Sequence, residues 1–402
     1  MKTASLQHTA KATPRFICPH FISIAFFSLF ILGGCALKNI IITMNPATSV
    51  SISDQGYFFV GGEYVTNKKA QTIRIGQMFV QYQIPVNRKH PYPVVMWHGG
   101  GQTGTNFLGT PDGREGWAQD FLKAGYAVYV VDQPGRARSG YFPEFYGSTR
   151  QPNAQAMSER FTAPELKKQY PQAHLHTQWP GSGVQGDTVF DQFFSSQVED
   201  IENLDLIEKL NRKAGAALLD KIGPAILLTH SQSGPFGWLL GNDHPAKVKG
   251  ILSIEPSGPP YKENELSAAP DWFKDGAAGK IYGVTRTALD YAPALADKET
   301  LTFIRQERPD KPQLTRCWMQ AEPARKLPNL KNIPILMLTS ESSYHAPYDH
   351  CTAKFLTQAG VKVEHLRLNE VGIRGNGHMM MLEKNNQEIA TLLIQWLNDH
   401  IH

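Results

Sequence analysis

Ala225-Ile226-Leu227-Leu228-Thr229-His230-Ser231-Gln232-Ser233-Gly234 decides the fold. An apolar run of strand length climbs to His230, a serine follows among small residues, and Phe236-Gly237-Trp238-Leu239-Leu240 packs well only as the start of a helix. The pattern is a strand, a sharp turn and a helix, with Ser231 at the apex. On such a turn a strained backbone pushes the serine hydroxyl away from the sheet. The helix N-terminus behind it turns N–H groups toward developing negative charge. Thr229 and Ser233 stand where glycines are usual, which crowds the turn without excluding it.

Working outward, the chain alternates strands and helices. Upstream, Tyr92-Pro93-Val94-Val95-Met96-Trp97-His98 reads as a strand delivering Gly99-Gly100-Gly101-Gln102-Thr103-Gly104, a loop whose backbone N–H groups can face an oxyanion because glycine lets the main chain approach freely. A helix from Trp117 to Ala124, a strand from Ala127 to Val131 and a helical period from Val198 to Leu210 follow. Downstream come strand Lys249 to Pro256, strand Ile333 to Leu338, helix Cys351 to Ala359, strand Val361 to Leu368, the loop Gly372-Ile373-Arg374-Gly375-Asn376-Gly377-His378 and a closing helix Asn386 to Leu397. This alternation predicts an α/β architecture, a mostly parallel central sheet with helices on both faces. Two runs, at about 55–65 and 77–85, read as an entry hairpin with glycine at the turns. The turn Asp132-Gln133-Pro134-Gly135-Arg136-Ala137-Arg138-Ser139 resembles the D-x-x-G-x-G-x-S turn of α/β-hydrolases, with Ala137 replacing a glycine. It reads as structural, with Arg136 and Arg138 as candidates to line a pocket. Segments at about 140–195 and 257–331 break the alternation and read as cap insertions, the first a lid.

At 402 residues the chain can bury one large core, so one domain at 55–402 with insertions is expected. A net charge of +4 with mixed signs, and no basic run interleaved with aromatics, excludes a nucleic-acid footprint. Lys2, Lys11 and Arg15 precede an apolar run from Phe16 to Leu32 that ends in Leu32-Gly33-Gly34-Cys35. This resembles a bacterial lipoprotein signal over 1–34, implying lipid on Cys35, a linker over 35–54, and residence in the outer membrane or periplasm of a Gram-negative cell; an ordinary signal peptide or signal anchor is the alternative. In an exporting compartment Cys317 and Cys351 are the remaining pair, either bridged or two unrelated buried thiols, and no C-x-x-C or Cys/His cluster suggests zinc.

Thr110-Pro111-Asp112-Gly113-Arg114-Glu115-Gly116-Trp117, His230-Ser231-Gln232-Ser233-Gly234, Ile254-Glu255-Pro256 and Gly375-Asn376-Gly377-His378-Met379-Met380-Met381 occur in this order. Together they resemble a small bacterial α/β-hydrolase esterase family, the esterase 713 type, over most of residues 55 to 400. The resemblance implies the α/β-hydrolase fold and a Ser, Glu, His triad, carried onto Ser231, Glu255 and His378. The chain departs from that family at Gly100-Gly101, where cysteines can stand, and in its longer insertion after Glu255, so substrate preference does not carry over.

Each role has a chemical reason. His378 must take the serine proton and return it to the leaving group, which an imidazole can do near neutrality. Glu255 would hold the imidazole tautomer, with Glu341, just past strand Ile333 to Leu338, as its rival at the commoner acid position of α/β-hydrolases. Backbone N–H groups of Gly100 and Gln232 are the candidate oxyanion donors. His174, His176, His345 and His350 read as surface or lid residues. The expectation is a serine esterase acting on a small-molecule ester without cofactor or metal. A lactonase, amidase or peptidase with the same triad, and a non-catalytic lipid-anchored binding protein on this scaffold, are the alternatives. The sequence fixes no oligomeric state and leaves a homodimer open.

Overall fold

The computed structural model describes residues 49–267 and 272–402. The expected signal segment 1–34 and Cys35 lie outside the described residues. Among the described residues no helix is long and apolar enough to cross a membrane.

The strands that matter are β1 (Ile52–Thr66), β2 (Thr72–Pro85), β3 (Val94–Trp97), β4 (Val128–Asp132), β5 (Ala225–His230), β6 (Val248–Ile254), β7 (Ile335–Thr339) and β8 (Val363–Arg367). They form an eight-stranded sheet in the order β1-β2-β4-β3-β5-β6-β7-β8. From β4 to β8 neighbouring strands run parallel, and β1 and β2 attach antiparallel at one edge. Five helices flank it: α1 (Trp117–Ala124), α2 (Leu204–Ile222), α3 (Gly234–Asp243), α4 (Asp349–Gln358) and α5 (Asn386–His400).

The two-residue period of the strands divides the core. Val95, Trp97, Leu227 and Ile251 face one side and bury against Leu218, Leu240 and Phe355 of α2, α3 and α4. Val94, Met96, Ile226, Leu228 and Leu252 face the other and meet Phe121 of α1 and Leu393 of α5. Both faces are covered, which is why the parallel strands read as near-continuous apolar runs. Close packing shows at Gly215 of α2, where an added Cβ would lie 2.6 Å from Leu240 Cδ1 and 3.1 Å from the Trp97 ring.

Three details differ from the sequence reading. The entry hairpin turns at 67–71; Gly61, Gly62 and Gly76 sit inside β1 and β2 with φ of 66°, 79° and 75°, so they bend the ladder rather than close it. β1 also begins at Ile52, inside the stretch expected to be linker. The helix expected from Val198 begins only at Leu204, capped by the Asn203 side chain. Upstream of it, Asp200 and Ile201 pair with Arg150 and Thr149, because the Asp200 carboxylate is drawn into the arginine cluster described below.

Candidate active site

Register fixes the site. β5 pairs with β6 so that His230 lies opposite Ile254, and β6 pairs with β7 so that Ile254 lies opposite Leu338. The next residues, Ser231 and Glu255, therefore leave the sheet side by side at its carboxyl edge, where sites in such sheets gather. The Ser257 N–H donates to the Ser231 carbonyl at 2.8 Å, and the Glu255 N–H donates to the Leu338 carbonyl at 3.0 Å. Both residues hold left-handed backbone, φ 56° at Ser231 and φ 43° at Glu255, a strain that persists where surrounding structure over-determines it.

The small residues around Ser231 each have a measurable reason. Gly234 lets the turn pass Pro256, since an added Cβ would sit 2.4 Å from Pro256 Cβ. Ser233, in place of a glycine, is fully buried and works as a tie: its hydroxyl accepts from the His230 N–H at 2.8 Å and donates to the Trp97 carbonyl at 2.9 Å. Gly237 lies where an added Cβ would crowd Ile251 Cγ2 at 3.2 Å and make ordinary contact with Thr229 Cγ2 at 3.5 Å.

The histidine and acid meet as the family phrase implies. His378 Nδ1–H donates to Glu255 Oε2 at 2.6 Å. Glu255 also accepts from the Ser340 N–H at 2.8 Å and the Ser343 hydroxyl at 2.7 Å, so its buried charge is well supplied with donors. Burial still raises the Glu255 carboxyl, opposed by His345 and the serine hydrogen bonds, and burial together with His345 and Arg160 lowers His378 well below the usual imidazole value. Glu341, the rival acid, turns away: it accepts from the Gly375 N–H at 2.9 Å and pairs with Arg374 at 2.9 Å. It braces the histidine loop without touching the ring.

Around this pair the site is aromatic. His345 stacks on His378 with ring centres 4.7 Å apart and planes within 8°, and its own Nδ1–H donates to Asp349 at 2.8 Å. Tyr344 packs 4.9 Å and Phe161 5.1 Å from the His378 ring, and His230 donates through Nε2 to the His378 carbonyl at 3.0 Å. Burial raises the Tyr344 phenol, opposed chiefly by the Arg160 cation.

On the other side of Ser231 lies the glycine loop. An added Cβ on Gly99 would meet Ser231 Cβ at 3.0 Å, and one on Gly100 would meet Asp200 Oδ2 at 3.2 Å and Gln232 Nε2 at 3.4 Å, so glycine lets this loop lie close on the elbow. Arg136 joins the parts: its guanidinium donates to the Gly99 and Gln102 carbonyls at 3.3 and 3.2 Å, to Gln232 Oε1 at 3.2 Å and to Asp200. Gln232 Nε2 and Arg150 each complete Asp200 Oδ2 at 2.8 Å. Arg136 is thus buried beneath the loop instead of lining a pocket, and Arg138 pairs with Asp132 at 2.7 Å and covers the Phe79 ring at 4.0 Å. Ala137, in place of a glycine, holds φ 43° in the same turn.

Three of the four histidines expected at the surface or in the lid are buried, His176 of them within the lid insertion. His345 supports His378 as above, and His350 lies 3.3 Å from the Cys317 sulfur of the Cys317–Cys351 disulfide. His176 stands between two carboxylates, Nδ1 2.9 Å from Glu165 and Nε2 2.9 Å from Glu383. Burial opposes its charge, but hydrogen bonds and charges from Glu165 and Glu383 outweigh this and raise it to about 9. Glu383 in turn accepts from the Gly377 N–H at 2.9 Å, beside His378. The first insertion is stitched to the same loop by the Thr177 N–H to the Gly375 carbonyl at 3.0 Å. His174 alone of the four is exposed. Only the i, i+4 spacing of His345 and Asp349 hinted at any of this. The phrase around Arg114 proves to be another brace, its guanidinium donating to Glu383 and Leu382 carbonyls at 2.9 and 3.0 Å.

Among the described residues two groups bring metal-ligand atom types together, Cys317, His350 and Cys351, and Glu255, His345 and His378. The first has its sulfurs bonded to each other, and in the second both Glu255 oxygens already accept hydrogen bonds. The donor sets therefore fit a disulfide and a hydrogen-bonded dyad better than an ion. A cleft of about 510 Å³ opens beside Ser231, with Gly100, Gln232, Arg160, Phe161, Tyr344 and His345 on its wall.

A model of the alpha/beta hydrolase family matches residues 94–392. The chain is 42% identical over 357 residues to the probable secreted lipase phiG of a fungal species (strain ATCC 74256), covering 88% of this chain and 92% of that one. A bacterial esterase solved at atomic resolution has the same fold with a TM-score of 0.59, 23% identity, and coverage of 89% of this chain and 99% of its own.

Proposed function

We propose that this chain, which belongs to the alpha/beta hydrolase family, is an exported serine esterase whose triad is Ser231, His378 and Glu255. The observation that carries this is the 2.6 Å bond from His378 Nδ1–H to Glu255, with Glu255 leaving the sheet beside the strained Ser231. Ser231 Oγ attacks the ester carbonyl while His378 Nε2 takes its proton. Glu255 keeps the proton of Nδ1 in place and stabilises the imidazolium that forms. N–H groups of Gly100 and Gln232 hold the oxyanion, and the Arg136 bonds keep their two loops together so that no reorganisation is needed at the moment of reaction. His378 then gives its proton to the departing alkoxide, and water attacks the acyl-enzyme by the same route.

Resemblance to a probable secreted lipase favours esters over amides and lactones, and favours export. A cysteine pair bridged as here suits an oxidising compartment. Cleavage before Cys35 and lipid on that cysteine, holding the enzyme at a Gram-negative outer membrane, complete the reading, and radiolabelled palmitate incorporated into the wild type but not into Cys35→Ser tests that part. For the chemistry, the purified mature chain should turn over p-nitrophenyl butyrate. Ser231→Ala should lower that turnover by roughly 10³-fold or more at unchanged fold. Equal turnover by the two proteins would end the proposal.

A further inference from the structure

We infer that the cleft takes an ester carrying a second, oxyanionic group, a carboxylate or a phosphate a few atoms from the scissile carbonyl, and that Arg160 receives it; this rests on the esterase reading above.

The charges of the cleft are unevenly settled. Its two carboxylates are both neutralised, Asp200 by Arg136 and Arg150, and Glu263 by Lys280 at 2.7 Å and Arg286 at 2.8 Å. Among the cations, Arg150 is held by Asp200, but Arg160 has no acidic partner among the described residues; its neighbour Glu159 pairs with Lys167 at 3.3 Å. The guanidinium carbon of Arg160 instead stands 5.3 Å over the Tyr344 ring, the ring that packs on His378. An unpaired arginine is suited to oxyanions, because its planar fork matches the geometry of a carboxylate or phosphate.

Backbone geometry puts it there deliberately. Helix Ala154–Met157 runs into a π-helical turn at Ser158–Thr162, closed by the Ala163 N–H to the Ser158 carbonyl at 2.8 Å. Such turns recur at functional sites because they re-aim side chains. Here the turn presents Phe161 to His378 at 5.1 Å and Arg160 to the cleft. The cost of this placement falls on the base. His378 must become an imidazolium beside the serine, and the Arg160 cation over the neighbouring Tyr344 ring disfavours it. A substrate anion seated on Arg160 cancels that field at the moment the imidazolium forms, so binding and proton transfer reinforce each other.

The test compares mono-p-nitrophenyl glutarate and p-nitrophenyl 4-phosphonobutanoate with the neutral p-nitrophenyl methyl glutarate, above pH 6, in wild type and Arg160→Gln. Wild type should favour at least one anionic ester by tenfold or more in kcat/KM. Arg160→Gln should erase that ratio, and the acid limb of its neutral-ester profile should move to higher pH as His378 is relieved of the cation. The larger of the two anionic preferences identifies carboxylate or phosphate as the group received. An unchanged ratio in Arg160→Gln overturns the inference. Calorimetric binding of monomethyl glutarate to Ser231→Ala, at least tenfold weaker when Arg160→Gln is added, reads the subsite without turnover. If no ester is hydrolysed yet that binding behaves as stated, the esterase reading alone has failed; binding that is absent or indifferent to Arg160 overturns the subsite.

Discussion

His378 and His176 are both buried imidazoles bonded to glutamate, and they hold opposite charges of purpose. His378 has one carboxylate, Glu255, whose oxygens are shared with two serines; burial, the His345 imidazole and the Arg160 cation hold it neutral. His176 has a carboxylate on each nitrogen and is held charged, up to about 9. The difference teaches that burial disfavours the charge on both rings and prevails at His378, whereas at His176 a carboxylate on each nitrogen outweighs it. The two are linked through Glu383, which bonds both His176 and the Gly377 N–H next to His378. The charged one thus fixes the loop that carries the neutral one.

The sharpest way to break this comparison is to exchange acids for amides. Glu255→Gln should lower kcat by roughly 10⁴-fold through the wrong imidazole tautomer while substrate binding persists. Glu341→Gln, which loses only its bonds to Arg374 and the Gly375 N–H, should lower it less than about tenfold. Steady-state kinetics on both variants decides between them, and the reverse ranking would return the acid to the Glu341 position.

Stability separates the two histidines next. Because the folded-state pKa of His176 is raised, its contribution is fully present below the ordinary imidazole value near 6.5, declines as pH rises, and is lost above about 9. The amount is on the order of 3 kcal/mol for such a shift. Urea unfolding of the wild type should therefore weaken between about pH 7 and 9, and His176→Gln should be weaker at pH 6 and lack that slope. A parallel pair of pH curves would mean that the carboxylates do not hold His176 charged. His378→Gln, by contrast, should abolish turnover and leave the slope in place.

The smallest expected effect is a displacement of the pH profile. His378 is lowered, so its neutral, proton-accepting form persists to more acid solution. The acid limb of kcat/KM for a neutral ester should lie below the ordinary imidazole value, and a limb at or above 6.5 would contradict the environment described for His378.

What was legible in the sequence was whatever local pattern dictates. Ala225–Gly234 reads correctly because an apolar run covered on both faces, ended by small residues and a helical phrase, has few other ways to fold. Glu255 came from resemblance, since topology alone allowed Glu341 as well; in space Glu255 is the one bonded to the His378 ring, and its carboxylate is held by Ser340 and Ser343, residues some 85 positions downstream. Arg136 and His176 were illegible because partners of each are remote, Asp200 and Gln232 for the first and Glu383 for the second; for His345 the Asp349 spacing was local, but its stacking on the His378 ring was not. The helix start at Leu204 in place of Val198 fails for the same reason, the Asp200 carboxylate being claimed by two arginines that helical periodicity cannot see.

The central claim is that Ser231, activated through His378 and Glu255, is the nucleophile. Its most direct test is stoichiometric reaction with a neutral organophosphate followed by peptide mapping. One adduct per chain on Ser231, absent from His378→Gln, is the expected result; an adduct on the buried tie Ser233, or none at stoichiometric loss of activity, would contradict it.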